Sequence, residues 1–224
     1  MIRKVIKKFL WIAAATAIGA CLVVPQYLYH RGLRGVPEDR APLTELVVPD
    51  HVAEIYWRYL GGTGASEVSP KNPYQLIFDV LSLEPENKGW NGEYSLLSSA
   101  GRSVMSRDEP HRDWQLSNGA AMIWISRKWT VDETISTVLQ SGFFGNGFHG
   151  IDSAALGYLD KSLNALDASE TLYLLTMSPA PTRYNPWCYP STHRERFEYD
   201  AARIGLDVDY DSVEVLPAPK GACN

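Results

Sequence analysis

The chain has 224 residues, 45% of them hydrophobic and 11% aromatic, so it can bury a sizeable core and wholesale disorder is excluded. A formal net charge of −5 argues against a nucleic-acid-binding surface, and no nucleic-acid partner is expected. The length suits one domain of ordinary size.

The N-terminus, "MIRKVIKKFLWIAAATAIGACLVVPQYLYH", begins with Arg3, Lys4, Lys7 and Lys8, and the next basic residue is Arg31. The uncharged run between Phe9 and Tyr29 is about 20 residues, the length that crosses a bilayer core. Basic residues ahead of the span place that end in the cytoplasm and the rest of the chain outside, in a periplasmic space. Residues 1–30 are therefore expected to form a cytoplasmic basic stub and a single transmembrane anchor in the inner membrane. The proline-bearing stretch 31–50 reads as a linker, 51–205 as the folded domain and 206–224 as a C-terminal tail. "IGAC" leaves a second option, because it resembles a lipobox whose Cys21 is cleaved and acylated. The apolar run continues past it through "LVVP", which favours an uncleaved anchor. Outside the cytoplasm Cys188 and Cys223 are free to pair, and two free thiols are equally compatible with the sequence.

"HVAEIYWRYL" carries a helical stripe that stops at Gly61, Gly62, Thr63 and Gly64. "PYQLIFDVLSL" is a short apolar segment, helix or strand, and residues 84–92 are polar and turn-rich. "LSNGAAMIWISRKW" reads as a helix apolar along one side, with Arg127 and Lys128 at its end. "TVDETISTVLQSGF" opens with Thr130 and Glu133 in capping-box spacing and has Ile135, Val138 and Leu139 as its buried stripe. A short helix follows Gly150. "DASETLYLLTMSP" repeats the capping box with Asp167 and Glu170, and "THRERFEYDAARIG" with Thr192 and Glu195 before a stop at Gly205. Short capped helices with tight connections predict a mostly α domain.

Between two of these helices Gly145, Gly147 and Gly150 have the spacing G-x-G-x-x-G. A dinucleotide loop needs a buried strand before the first glycine, and a capped helix stands there instead. The glycines are expected to permit a tight turn, and no cofactor is expected. His111, His149 and His193 lack metal-ligand spacing and read as surface or groove residues. Asp207, Asp209 and Asp211 alternate without the glycine and terminal glutamate of a calcium loop, so they read as a solvated acidic tail, and no metal is expected.

The stretch from Trp129 to Pro186, with "WTVDETISTVLQ", "FGNGFHGIDSAALGYLDK" and "LDASETLYLLTMSPAPTRYNP", resembles the C-terminal half of the peptidoglycan glycosyltransferase domain, glycosyltransferase family 51. The resemblance implies a lysozyme-like helical fold behind a membrane anchor, acting on lipid II outside the cytoplasmic membrane. It also makes Gly145, Gly147 and Gly150 part of a glycan-groove wall. The end of the chain near residue 224 suggests a monofunctional member with no transpeptidase domain.

Upstream the resemblance wears thin. The family's general-base glutamate sits in "E-D-x-x-F-x-x-H-x-G", and the best counterpart is Glu67 in "GASEVSPKNPYQLIFDV", with Val68 in place of the aspartate. "GEYSLLSSAGRS" resembles "G-G-S-T-I-x-Q-Q-L-x-K-N", which puts Ser98 and Ser99 at the two glutamines and Arg102 at the lysine that contacts lipid-linked pyrophosphate. Counted back from Trp129, the family's second glutamate falls on Asn118 and its Arg-Lys pair on Trp114 and Gln115. The resemblance thus implies Glu67 as the candidate catalytic residue, and Ser98, Ser99, Arg102 and Asn118 with the three glycines as substrate-binding candidates. Two functions remain in view. One is a catalytically degenerate protein of cell-wall synthesis that binds lipid II, glycan or a synthesis partner. The other is a divergent transglycosylase that polymerises lipid II with Glu67 as base. A membrane scaffold without a ligand is a third possibility.

Overall fold

Helical patterning and glycine stops divide the described residues into nine α-helices, with no strand among them. The structure, a computed structural model, describes residues 2–38, 41–82, 92–105 and 113–223, with side chains from residue 10. In chain order the helices are α1 (Ile2–Leu33), α2 (Asp50–Tyr59), α3 (Pro73–Ser82), α4 (Gly92–Val104), α5 (Trp114–Lys128), α6 (Val131–Ser141), α7 (Ile151–Leu159), α8 (Ala168–Met177) and α9 (Pro190–Ile204).

α1 contains the one segment among the described residues that is long and apolar enough to cross a membrane, Leu10–Leu33, 24 residues. Cys21 lies exposed within this unbroken helix. α1 runs on into the expected linker and packs along α5. Two glycines permit the close approach: a Cβ on Gly32 would fall 2.5 Å from the Leu116 carbonyl oxygen, and one on Gly35 would fall 2.2 Å from Ser117 Oγ. An Arg31–Asp113 ion pair at 2.6 Å and the Arg127 guanidinium 5.8 Å from the Tyr29 ring centre add polar contacts. α5 is accordingly buried on more than the one side expected, because α1 and α4 cover different faces of it.

The 73–82 segment, left open between helix and strand, is helical. Asn72 Oδ1 accepts from the Tyr74 and Gln75 backbone amides, at 3.0 and 2.9 Å, and so supplies the cap. Both bonds of the capping box form at α6 (Thr130 with Glu133) and at α8 (Asp167 with Glu170). α8 is buried all round, with Leu172, Leu174, Leu175 and Met177 inaccessible to solvent, and α2, α7 and α9 pack against it.

α9 starts before Thr192, and the expected Thr192–Glu195 cap is not what opens it. Pro190 occupies the first turn, where its missing N–H costs nothing, and the Tyr189 carbonyl accepts from the His193 amide at 3.0 Å. The reading of His193 as a surface or groove residue is corrected, since the side chain is fully buried. Its Nε2 lies 3.1 Å from the Tyr173 carbonyl, which can only accept, so Nε2 carries the proton and Nδ1 faces the Tyr210 hydroxyl at 3.2 Å. Burial pushes His193 down to about 4, against a partial pull upward from the Tyr173 carbonyl.

The segment after Gly205 has two faces. Leu206, Val208, Tyr210, Val213 and Val215 pack against the core, while Asp211 faces outward and pairs with Arg194. Asp209 caps the Tyr210–Ser212 turn by accepting from the Asp211 amide at 2.9 Å. The Leu216 amide donates to the Tyr158 carbonyl and Trp187 Nε1 donates to the Leu216 carbonyl, both at 2.8 Å. Cys188 and Cys223, whose state was open in the sequence, form a disulfide.

Candidate active site

Residues of α2, α4, α6 and α9, with the turn after α6 and Ser178 and Pro179 just past α8, surround a cavity of about 770 Å³, within the size range of small-molecule sites. α4 supplies its polar wall. Ser95, Ser98, Ser99 and Arg102 recur at i, i+3, i+4 and i+7, so they share one face of the helix, while Leu96, Leu97 and Ala100 turn into the core. Arg102 Nη2 donates to Ser99 Oγ at 3.2 Å, and among the described residues no carboxylate forms an ion pair with this guanidinium. Three of the expected residues, Ser98, Ser99 and Arg102, thus come together at one site.

Asn118 stands behind this wall, on α5. Its Nδ2 donates to Ser98 Oγ at 3.2 Å, while its Oδ1 is buried without a hydrogen-bond partner among the described residues. The α4–α5 approach depends on Gly101, since a Cβ there would lie 2.3 Å from Asn118 Oδ1. The amide orients Ser98 but brings no charge to the cavity.

The facing wall comes from Tyr56, Tyr59 and Leu60 at the C-terminal end of α2, and from Arg196 on α9. Burial, and then the neighbouring Tyr59, raises the Tyr56 phenol well above its ordinary range, with Arg102 opposing. Burial, and then Asp200, does the same for Tyr59. Both hydroxyls remain protonated at neutral pH and can donate. Arg196 is committed to buried Asp200 at 2.7 Å, which Arg203 also holds at 3.0 Å.

No carboxylate lines this cavity among the described residues. Glu93, one residue before Tyr94 on the wall, accepts from Lys71 at 2.7 Å and from the Ser69 amide and hydroxyl at 2.6 Å each. Desolvation pushes Glu93 up, but those donors outweigh it and hold the carboxylate below its usual value. Glu67 is exposed on the loop after α2 and is not part of the cavity lining. A general base must reach the proton it removes, and among the described residues none between Leu60 and Tyr94 lines the cavity.

The glycine motif forms a closed turn between α6 and α7. Phe143 pairs with His149, the Phe144 amide donates to the Phe148 carbonyl at 2.9 Å, and the Gly150 amide to the Gly142 carbonyl at 2.8 Å. Gly145, Gly147 and Gly150 have φ of 84°, 81° and 85°, a region that favours glycine. Gly142, Phe143 and Phe144 line the cavity, whereas the three predicted glycines shape the turn without lining it. His149 is exposed against the Phe143 ring, and His111 lies outside the described residues.

Sequence reasoning missed Tyr56, Tyr59, Tyr94, Ser95 and Arg196. The α4 spacing that includes Ser95 was available as a signal, whereas Arg196 reaches the cavity only through the packing of α9.

Residues 106–204 match the family model described as Transglycosylase, a stretch that contains α5 to α9 and the glycine turn. The chain carries a transglycosylase-family domain. It is similar to penicillin-binding protein 1A of Rickettsia felis, 24% identical over 133 residues, which are 59% of this chain and 17% of that protein. Penicillin-binding protein 1A of Rickettsia bellii is 36% identical over 92 residues, 41% of this chain and 10% of the relative. Penicillin-binding protein 4 of Bacillus subtilis is 26% identical over 137 residues, 60% of this chain and 22% of the relative. The chain therefore spans less than a quarter of the length of these relatives. In the transglycosylase-family domain the matched stretch supplies Phe143, Phe144 and Arg196 to the cavity, while Ser98, Ser99 and Arg102 lie ahead of it.

Proposed function

We propose that this is a membrane-anchored, peptidoglycan glycosyltransferase-like protein of cell-wall synthesis whose cavity binds lipid II or glycan without polymerising it. The observation that carries this reading is the composition of the cavity wall. It keeps a guanidinium, Arg102, a row of serine hydroxyls and tyrosine donors, and among the described residues it has no carboxylate and Arg102 has no ion-pair partner. Such a lining suits hydroxyl-rich and phosphate-bearing ligands. It lacks the base that glycosyl transfer requires of the acceptor hydroxyl. The transglycosylase match and the penicillin-binding relatives support the cell-wall setting.

The anchor is α1, held in the inner membrane and uncleaved, with the domain in the periplasm. The basic residues ahead of Leu10 support that orientation, as does a disulfide suited to an oxidising compartment. Lipid II or a glycan strand is the ligand, and cell-wall synthesis proteins are the partners.

The test uses full-length protein in detergent, with lipid II polymerisation and labelled lipid II binding measured side by side. The expected result is no glycan polymer, binding by the wild type, binding weakened at least tenfold by Arg102→Ala and unchanged by Glu67→Gln. Polymer made by the wild type and lost in Glu67→Gln would overturn the proposal in favour of an active enzyme. Equal binding by the Arg102→Ala variant would remove the anionic subsite.

A further inference from the structure

Buried polar side chains of folded proteins have hydrogen-bond partners as a rule. Among the described residues five atoms do not: Trp57 Nε1, Tyr59 Oη, Asn118 Oδ1, Gln140 Oε1 and Thr171 Oγ1. Of these residues only Tyr59 lines the cavity. It is 4% exposed, and it is firmly held. Arg203 Nη2 donates to the Tyr59 carbonyl at 2.9 Å, and the same guanidinium lies 5.4 Å from the centre of the ring. Arg203 is itself fixed by buried Asp200 at 3.0 Å. Burial, and then Asp200, raise the phenol above its ordinary range, so the hydroxyl keeps its proton. The wall that faces Arg102 therefore carries an oriented donor that meets no acceptor among the described residues.

The surroundings of that hydroxyl define what it can bind. Leu139 and Phe144 also line the cavity and belong to the same packed apolar cluster as Tyr59, and Leu60 follows it in the chain. Arg196, on the same wall, already holds Asp200 at 2.7 Å. A phosphate is better served by Arg102, and a sugar hydroxyl finds donors and acceptors in the serines of α4. A single donor with apolar neighbours suits a carbonyl oxygen carried beside a methyl group. The oxygen accepts, and the methyl displaces water from leucine and phenylalanine. An acetamido group has that composition, and the amino sugars of lipid II and of glycan strands carry it.

We propose that the Tyr59 hydroxyl donates to the acetamido carbonyl of an amino sugar bound in the cavity, and that Tyr59 thereby selects N-acetylated sugars. This rests on the reading of the cavity as a lipid II or glycan site, and the experiment separates the two.

Tyr59→Phe removes the hydroxyl and leaves the ring, so no hydrogen bond seen in the fold is lost with it. Binding to full-length protein in detergent is measured for labelled lipid II and for a synthetic analogue with hydroxyls in place of its acetamido groups. The wild type is expected to prefer lipid II by roughly three- to tenfold, the range of one net hydrogen bond. Tyr59→Phe should bind both ligands alike, at the level of the analogue. Its ligand-free thermal midpoint should equal or exceed that of the wild type, because a buried hydroxyl without a partner is gone. Arg102→Ala should weaken both ligands by the same factor and keep the preference. A preference that persists in Tyr59→Phe overturns the assignment, and so does a lower midpoint for that variant, which would reveal a structural role. Equal binding of both ligands by the wild type removes the acetamido subsite and leaves the cavity reading standing. Failure of the wild type to bind either ligand overturns the cavity reading itself, and this inference with it.

Discussion

Removal of the Cys188–Cys223 disulfide tests how the end of the chain is held. The bond closes a loop with a sequence separation of 35 residues, enclosing α9 and the two-faced segment that follows it. Loop-closure entropy for that length corresponds to about 4 kcal/mol, acting on the unfolded chain. The folded-state contacts do not involve the sulfurs and are expected to survive the change: the Leu216 amide donates to the Tyr158 carbonyl, and Tyr210 packs beside Phe197. The effect should therefore appear as a lower midpoint with native secondary structure intact, by roughly 10 °C for a domain of this size. Thermal unfolding followed by circular dichroism in detergent, on the wild type and on the Cys188→Ser, Cys223→Ser double variant, reads it directly. Reduced wild type should coincide with the double variant. Equal midpoints for oxidised wild type and double variant would refute the loop-closure argument.

A second effect follows from His193. Its folded value near 4 lies below the ordinary 6.5, so the unfolded chain takes up the additional proton between those two pH values. The stability that the neutral ring contributes is fully present above pH 6.5 and is lost as pH falls toward 4, at about 1.4 kcal/mol per pH unit. Urea midpoints at pH 7 and pH 5 should diverge more for the wild type than for His193→Gln, and equal divergence would contradict the assignment. Gly32→Ala pushes a methyl against the Leu116 carbonyl and should loosen α1 from α5 by about 1–3 kcal/mol, less up to about 1 kcal/mol of helix propensity. Gly19→Ala meets nothing within 4 Å and serves as its neutral control, with the α1–α5 distance read by paired spin labels.

The legible parts of the fold were those decided by neighbours in sequence. Thr130 with Glu133 and Asp167 with Glu170 announced two helix starts because a capping box is complete within four residues. Thr192 with Glu195 has the same spacing and fails, because Pro190 opens the helix one turn sooner. The glycine turn was legible once a capped helix preceded it. Its contribution to the cavity was not, since the lining falls to Gly142, Phe143 and Phe144. In the cavity, Ser98, Ser99 and Arg102 could be found together because one helix face carries them. Arg196 and the burial of His193 depend on how α8 and α9 pack, and local pattern holds no trace of that. Glu67 was placed by motif likeness, and where its loop lies relative to the cavity depends on packing that the motif does not encode.

With α1 as the proposed membrane anchor, its glycine-mediated seam with α5 makes it more than a tether. A stretch of 24 residues is about 36 Å long, longer than an average hydrocarbon core, and such a helix answers thinner lipid by leaning. With its last turns locked against α5, α1 cannot lean alone, and the α4–α5 wall with Ser98 and Arg102 must lean with it. Bilayer thickness thereby becomes a variable that sets the angle at which the cavity mouth meets anything carried in the lipid.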